Sequence, residues 1–379
     1  MAKKKATEMV EELSEMEIVE VKEIEANKKR LTRENMISSG SSLLNLHLTG
    51  SVYGAFITGK IYHIVGTSTS GKTMVCLHTI ANIVMDEKYD DYDIIMDEPE
   101  GGNDVDMEEM FGPVTASRIK APRYDEETGD PIHSKTAEDF YDNLTRLKNE
   151  GKKFFYFLDS MDGLTSEADI KKIEENLKLR DAGKDAGGSF GMGKASVNSK
   201  RLGVEKSTLG HTGNTLFIIS QERDDISFGA PMGAKSYSGG KALKFYATCQ
   251  IWFRHKKELT KTIKGKPRPV GNKAVMYLPK NRLTGQKHKN IPLTISFNDG
   301  IDDIMDMLEF LIDESVLKKG TKINAEKLFG DGVNFTLEKL GNWVNDNDKE
   351  EILMEAVQAH YDEIQQLIKN KTSRKKKYK

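Results

Sequence analysis

The sequence predicts an α/β protein with a mostly parallel mixed sheet, an N-terminal helical extension and a small C-terminal helical domain. Three observations carry this reading. The stretch Lys60-Ile61-Tyr62-His63-Ile64-Val65-Gly66-Thr67-Ser68-Thr69-Ser70-Gly71-Lys72-Thr73, followed by Met74-Val75-Cys76-Leu77, reads as a strand, a glycine-cornered loop and a helix. Further apolar runs alternate with helical stretches as far as about Phe297, and the early ones are apolar throughout, as central parallel strands covered on both faces require. After Gly300 the spacing turns helical.

Taken in order, residues 1–36 are dense in Lys and Glu, with Met9, Val10, Leu13, Met16, Val19 and Ile24 at helical spacing. This is an exposed amphipathic helix, either a frayed, solvated terminus or an arm that docks on a neighbouring subunit. Residues 37–300 form the core, which opens with Ile37-Ser38-Ser39-Gly40. Its strands are expected at Tyr62 to Val65, Asp93 to Met96, Phe154 to Leu158, Leu216 to Ser220, Cys249 to Phe253, Val275 to Leu278 and Leu293 to Phe297. The last of these, closely spaced and polar-linked, suggest an antiparallel extension of the parallel sheet. Residues 301–368 repeat Ile304, Met307, Leu308, Leu311 and Ile312 on one helical face, then Ile352, Leu353, Ala356, Val357, Tyr361, Ile364 and Leu367. The lysine-rich stretch 369–379 reads as a basic, disordered tail.

At 379 residues, 37% hydrophobic and 31% charged, the chain has ample core for independent folding and the polarity of a soluble, cytoplasmic protein. No run approaches the eighteen or so apolar residues of a membrane span, and Met1-Ala2-Lys3-Lys4-Lys5 does not open a secretion signal. The two cysteines, Cys76 and Cys249, sit in apolar contexts and read as small core residues in a reducing compartment. With a net charge of only −2, any nucleic-acid surface must be local.

The spacing of Gly66, Gly71, Lys72 and Thr73 is that of a phosphate loop, in which backbone N–H groups and a helix N-terminus wrap a triphosphate. ATP with Mg²⁺ is the expected ligand, held by Gly66, Thr67, Ser68, Thr69, Ser70, Gly71, Lys72 and Thr73. Lys72 would reach the β- and γ-phosphates and the Thr73 hydroxyl the metal. About 86 residues on, Phe154-Phe155-Tyr156-Phe157-Leu158-Asp159 is an apolar strand ending in a carboxylate. A buried acid costs desolvation energy unless a cation lies beside it, so Asp159 reads as a second group on the Mg²⁺. A further acidic strand end, Met96-Asp97-Glu98-Pro99-Glu100-Gly101-Gly102, offers Glu98 and Glu100 as rival candidates for the base that orients attacking water.

From the phosphate loop onward the chain resembles the RecA family of homologous-recombination ATPases, in its bacterial and phage forms. The resemblance rests on Ser238-Gly239-Gly240-Lys241-Ala242-Leu243-Lys244-Phe245-Tyr246, on Pro279-Lys280-Asn281-Arg282, on Gly59-Lys60-Ile61, on Asp159-Ser160 and on Ile219-Ser220-Gln221. It covers roughly residues 37 to 300, with a looser echo at Asn342-Trp343-Val344-Asn345-Asp346-Asn347. Within it, Glu100 is followed at the family's spacings by Asp104 and by Phe111-Gly112, which favours Glu100 over Glu98 as the catalytic glutamate.

The resemblance implies a RecA-like phosphate-loop ATPase core and a DNA-dependent ATPase that forms helical homo-oligomeric filaments on single-stranded DNA and pairs it with double-stranded DNA. It assigns Gln221 as the sensor of the γ-phosphate. The loop after it, with Arg223, Phe228, Gly229 and Lys235 and then Gly239 and Gly240, would face DNA. Lys280 and Arg282 would act across a subunit boundary on the neighbour's γ-phosphate. The segment Glu167 to Gly193, the counterpart of a second DNA-facing loop, is longer here than in the family and mixes Lys171, Lys172, Lys178, Arg180 and Lys184 with Glu174, Glu175, Asp181 and Asp185. Met107 stands where the family stacks a tyrosine on adenine, and the tail is basic where bacterial members end in acid. The rival readings are a ring-forming helicase-type motor of the same fold and a nucleotide-switched recombination mediator with little hydrolysis.

Overall fold

The computed structural model of the chain describes residues 20, 22–102, 105–183, 192–224 and 235–372. Strand Ile61–Gly66 lies inside a ten-stranded mixed sheet. Across the sheet the order runs Gly300–Ile301, Ile291–Ser296, Lys266–Asn281, Cys249–Ile263, Ile61–Gly66, Thr215–Asp224, Lys153–Leu158, Tyr92–Asp97 and Ile119–Lys120, with Lys235–Tyr237 paired to Thr215–Asp224. Along this order every pairing from Cys249–Ile263 to Ile119–Lys120 is parallel, while Lys235–Tyr237 and the strands beyond Cys249–Ile263 pair antiparallel. The mixed, mostly parallel α/β sheet and its antiparallel extension are therefore as the sequence predicts.

The central strands are apolar throughout because each face has its own core. Tyr62, Ile64, Ile94, Met96, Phe155, Phe157, Phe217 and Ile219 face one apolar cluster, which they share with Val75, Ile80 and Ile83 of helix Lys72–Val84. The alternate residues Ile61, Ile95, Phe154, Tyr156, Leu158, Leu216 and Ile218 face the other, with Phe140, Tyr141 and Leu144 of helix Ala137–Asn149 and Leu202 and Leu209 of helix Met192–Thr212. The period of two along each strand makes this division unavoidable once the strands pair in register.

The chain departs from the predicted strand list chiefly after Phe253. Strands Cys249–Ile263 and Lys266–Asn281 continue as a long hairpin whose outer half is solvent-exposed on both strands. Alternating Lys, Thr and Glu there carry no apolar signal, so the sequence reading stopped at the last buried residue. At the N-terminus, residues 22–28 are helical and Met9, Val10, Leu13, Met16 and Val19 lie outside the described residues. At the other end, helix Glu350–Thr372 continues through Lys369 and Lys371, which the sequence reading put in the disordered tail. A helix already bearing Leu353, Val357 and Tyr361 on the core extends through lysines, which are good helix formers.

The C-terminal helices add Met307, Leu308, Leu311, Leu340, Val344, Leu353 and Val357 to the cluster that holds the sheet. Two carboxylates help to seat helix Asp303–Asp313. Asp303 accepts from the Ser42 N–H and hydroxyl at 2.7 and 2.6 Å, and Asp306 accepts from the Thr294 N–H and hydroxyl at 2.8 and 2.6 Å. Asp306 is fully buried, and burial pushes its carboxyl up from 3.8 to about 7, against the lowering effect of the Thr294 donors and of Lys273.

This sets the sign of a pH effect. Between the two values the folded chain keeps a proton that the unfolded chain has lost, so the contribution of Asp306 to stability falls as pH rises from about 4 to about 7 and is flat above. The stability of the wild-type chain relative to Asp306→Asn, measured by denaturant titration, should be greater at about pH 5 than at about pH 8. An advantage that is instead the same at pH 5 and pH 8 would show that the two Thr294 donors hold the carboxylate ionised.

Candidate functional site

The phosphate loop leaves the carboxyl end of strand Ile61–Gly66 and enters helix Lys72–Val84. Gly66 has no room for a side chain, since a Cβ there would lie 2.5 Å from the Phe253 carbonyl oxygen and 2.8 Å from the Ser70 hydroxyl. Gly71 takes φ +96°, a left-handed turn that L side chains rarely adopt. It caps the helix without a side-chain acceptor, and no acid stands in the first turn. Other helices of the chain, those starting after Ser41, Thr136 and Asp302, do have a side-chain cap. The N-terminal N–H groups of helix Lys72–Val84 are thus open to an anion, with the helix dipole behind them.

Lys72 folds over this loop, its amine donating to the Thr67 carbonyl at 2.6 Å. Burial lowers its pKa, while Asp159, Asp162 and Glu100 pull the other way. Thr73 turns its hydroxyl to Asp159 and donates at 2.5 Å. Asp159 is anchored in turn by its backbone N–H, which donates to the Asp97 carbonyl at 2.8 Å. Its own carboxyl is pushed up by burial, and Glu100 and Glu98 add to that. A carboxylate and a hydroxyl in contact at the foot of an anion site, with the carboxylate short of compensating charge, are a donor set that fits Mg²⁺. Thr73 and Asp159 are the residues that would hold it.

Of the two rival glutamates, Glu100 is the one that Gln221 and Ser160 reach. The Ser160 hydroxyl donates to Glu100 Oε1, and the Gln221 amide nitrogen lies 3.5 and 3.3 Å from its two oxygens. Glu98 is placed by its backbone N–H, which donates to His133 Nδ1 at 3.0 Å. Gly163 makes room for this arrangement, because a Cβ there would come within 2.8 Å of Glu100 Cγ. Asp97, between the strand and the turn, is fully buried and accepts from Ser134 and from the Tyr156 hydroxyl, so it braces the turn from behind.

The residues expected to face DNA are distributed differently. Arg223 donates to Asp162 at 2.7 Å, and Asp162 also accepts from the Gln221 backbone N–H at 2.7 Å. Lys235 pairs with Asp224 at 2.8 Å and with Glu222 at 3.5 Å. Phe228 and Gly229 lie outside the described residues. Gly239 and Gly240 both have positive φ, and added Cβ atoms would strike Leu243 and Asn198 at the first and Ala195 at the second. Packing against helix Met192–Thr212 is thus sufficient reason for both glycines. Much of the predicted second DNA-facing segment is helix Glu167–Asp181, and Met107 starts helix Met107–Arg118 with its side chain packed on the core.

Lys280 and Arg282 are held in their own chain by groups outside the phosphate loop. The Lys280 amine donates to the carbonyls of Lys244 and Phe245 at 2.6 and 2.8 Å, and burial, helped by Arg282 and Lys206, lowers its pKa to about 7. Arg282 lies 3.4 Å from both Glu20 and Glu23, so the first helix supplies its counter-charge.

Sequence reasoning missed Asp162 and Lys194. Asp162 could have been found by asking what balances Arg223 beside a strand-end turn. Lys194, whose buried amine bridges the carbonyls of Met161 and Leu164 at 2.8 and 2.6 Å, carries no such signal.

The geometry around Glu100 generates a direct comparison. Glu100→Gln should retain ATP binding and slow hydrolysis by about a hundredfold or more, since an amide cannot take a proton from water. Glu98→Gln should stay near the wild-type rate in the same assay of phosphate release. The opposite ranking would move the base to Glu98.

No family model matches the chain. It is similar to the RecA proteins of Corynebacterium efficiens, at 27% identity over 288 residues, Corynebacterium aurimucosum, at 27% over 316 residues, and Rhodospirillum rubrum, at 26% over 287 residues. These matches cover 75%, 82% and 75% of this chain and 64%, 72% and 68% of the respective relatives. Distant as they are, similarities of this extent, on a mostly parallel α/β sheet with a phosphate loop at its carboxyl edge, support membership of the RecA family, without separating its bacterial from its phage members.

Proposed function

We propose that the chain is an ATP-dependent DNA recombinase, which forms helical filaments on single-stranded DNA in the cytoplasm and promotes its pairing and strand exchange with a homologous duplex. The observation that carries this reading is the contact of Gln221 with Glu100. One side chain joins the candidate base of the nucleotide site to the strand end that leads into the segment expected to touch DNA. The similarity to RecA proteins supports the same reading.

In this reading the loop from Gly66 to Thr73 binds the triphosphate through its N–H groups, and Lys72 exchanges the Thr67 carbonyl for phosphate oxygens. Bound Mg²⁺ would neutralise charge that develops on the phosphates. Glu100 orients and deprotonates water, and Ser160 and Gln221 fix the direction of its carboxylate. Arg223 and Lys235 exchange their intrachain acids for DNA phosphates; for the exposed Lys235–Asp224 pair the swap costs little, since such pairs contribute only about 0–1 kcal/mol, and for Arg223 it leaves the buried Asp162 carboxylate to the Gln221 N–H. Lys280 and Arg282 act on the neighbour's γ-phosphate and trade Glu20, Glu23 and the two carbonyls for it.

Electron microscopy with single-stranded DNA, Mg²⁺ and a non-hydrolysable ATP analogue tests the assembly. Helical filaments are expected, closed rings would favour a helicase-type motor, and Lys72→Ala should abolish the nucleotide-dependent assembly. The cross-subunit role is tested by mixing. A chain with both Lys280→Ala and Arg282→Ala should bind ATP but lose DNA-stimulated hydrolysis, and so should Lys72→Ala lose hydrolysis alone. Co-assembled, the two should recover a fraction of the activity at interfaces that combine an intact loop with intact cations. No recovery at any mixing ratio, in filaments shown by pull-down to contain both, would put the two lesions in one site.

A further inference from the structure

A buried polar row that the hydrolysis site does not use crosses the sheet just behind it. His63 is fully buried on the strand that leads into the phosphate loop, with Nε2 2.9 Å from the Ser220 hydroxyl and Nδ1 3.0 Å from the Gln250 amide nitrogen. An amide nitrogen only donates, so Nδ1 accepts and Nε2 carries the proton given to Ser220. Burial, with a smaller contribution from Lys280, lowers the imidazole pKa to about 3 and keeps it neutral in this tautomer. Ser220 and Gln250 are themselves buried, and Gln250 stands in register with His63 on one side and Lys280 on the other.

The row has an outlet. The Tyr237 ring meets the His63 ring edge-on at 4.6 Å, its hydroxyl engages Gln250, and its other side meets the Trp252 ring at 5.9 Å. Tyr237 pairs with Glu222 in the strand that returns from residues 225–234. Ser220, at the other end, is the residue before Gln221. Buried polar networks rigidify when every member is satisfied, and this one ties three strands to the return strand of that segment.

We propose that His63 is a positioning residue that couples the nucleotide site to strand Lys235–Tyr237: through Ser220 it holds the strand bearing Gln221, and through Gln250 and Tyr237 it holds the strand paired beside it. A shift of Gln221 toward a bound phosphate repacks Tyr237 against Trp252. The inference rests on the nucleotide site proposed above, and the test separates the two without DNA.

The chain has two tryptophans, Trp252 and Trp343, so in a Trp343→Phe background Trp252 alone reports. Adding Mg²⁺ and a non-hydrolysable ATP analogue should change Trp252 emission. Ser220→Ala should bind the analogue with unchanged affinity and lose that change, and Ser220→Thr, which keeps the hydroxyl, should restore it. Tyr237→Phe, which keeps the ring and therefore the packing, should lose it as well and decides the matter if Ser220→Ala fails to fold. Analogue binding without any emission change in the parent chain, or a full change in both Ser220→Ala and Tyr237→Phe, overturns the inference and leaves the nucleotide site standing. Failure of the parent to bind the analogue overturns both.

Discussion

The Phe253 carbonyl oxygen lies 2.5 Å from where a Cβ on residue 66 would be, and the candidate nucleotide site depends on this close approach. It exists because strand Cys249–Ile263 runs parallel to Ile61–Gly66 with Phe253 level with Gly66. On the other side Gly66 is level with Gln221, and two strands further on Leu158 is level with Asp97. The parallel register therefore brings the start of the loop, Gln221, Asp159 and the turn bearing Glu100 to one edge of the sheet. Ligands bind at the carboxyl ends of parallel strands for this reason, since the chain must leave the sheet there in loops that face one another.

The sheet was legible because burial on both faces leaves uninterrupted apolar runs, as in Phe154 to Leu158. The strand, loop and helix around Gly66 and Gly71 were legible because close approach at the first and a left-handed turn at the second both require glycine. What escaped was set by tertiary pairing. The tip of the long hairpin, residues 260–263 and 266–269, lies beyond strand Ile291–Ser296 and makes its strands by pairing with itself. Asp162 and Lys194 serve backbone groups, Gln221 N–H in one case and the Met161 and Leu164 carbonyls in the other, and no spacing rule announces such partners. The choice of Glu100 over Glu98 came from resemblance alone. In space, Glu100 is the carboxylate that Ser160 and Gln221 reach, a contact that no sequence spacing encodes.

Charge on this chain is spent locally. Arg223, Lys235 and Arg282 each have an acid at hand, Asp162, Asp224 and Glu23 respectively, which agrees with a net charge near zero in a chain that is 31% charged. Counting basic residues in a loop is for that reason a poor guide to its partner. An exposed pair such as Lys235 with Asp224 is held weakly and opens to a polyanion. Arg282 is mostly buried and shared between Glu20 and Glu23, so freeing it requires the first helix to shift.

Gln221 joins these threads because its two halves have different anchors. Its backbone N–H is fixed to Asp162, which also holds Arg223, while its side chain reaches Glu100 at a long 3.3 Å. The long bond is the weaker one and yields first when a phosphate competes for the amide. The anchored backbone then carries the reaction to that movement into Asp162 and Arg223 on one side and into Ser220 and His63 on the other. In the proposed role, a sensor whose side chain can turn while its main chain stays pinned at the junction of two polar networks would pass on a signal without unfolding, because the packed strands on either side offer discrete arrangements rather than a continuum.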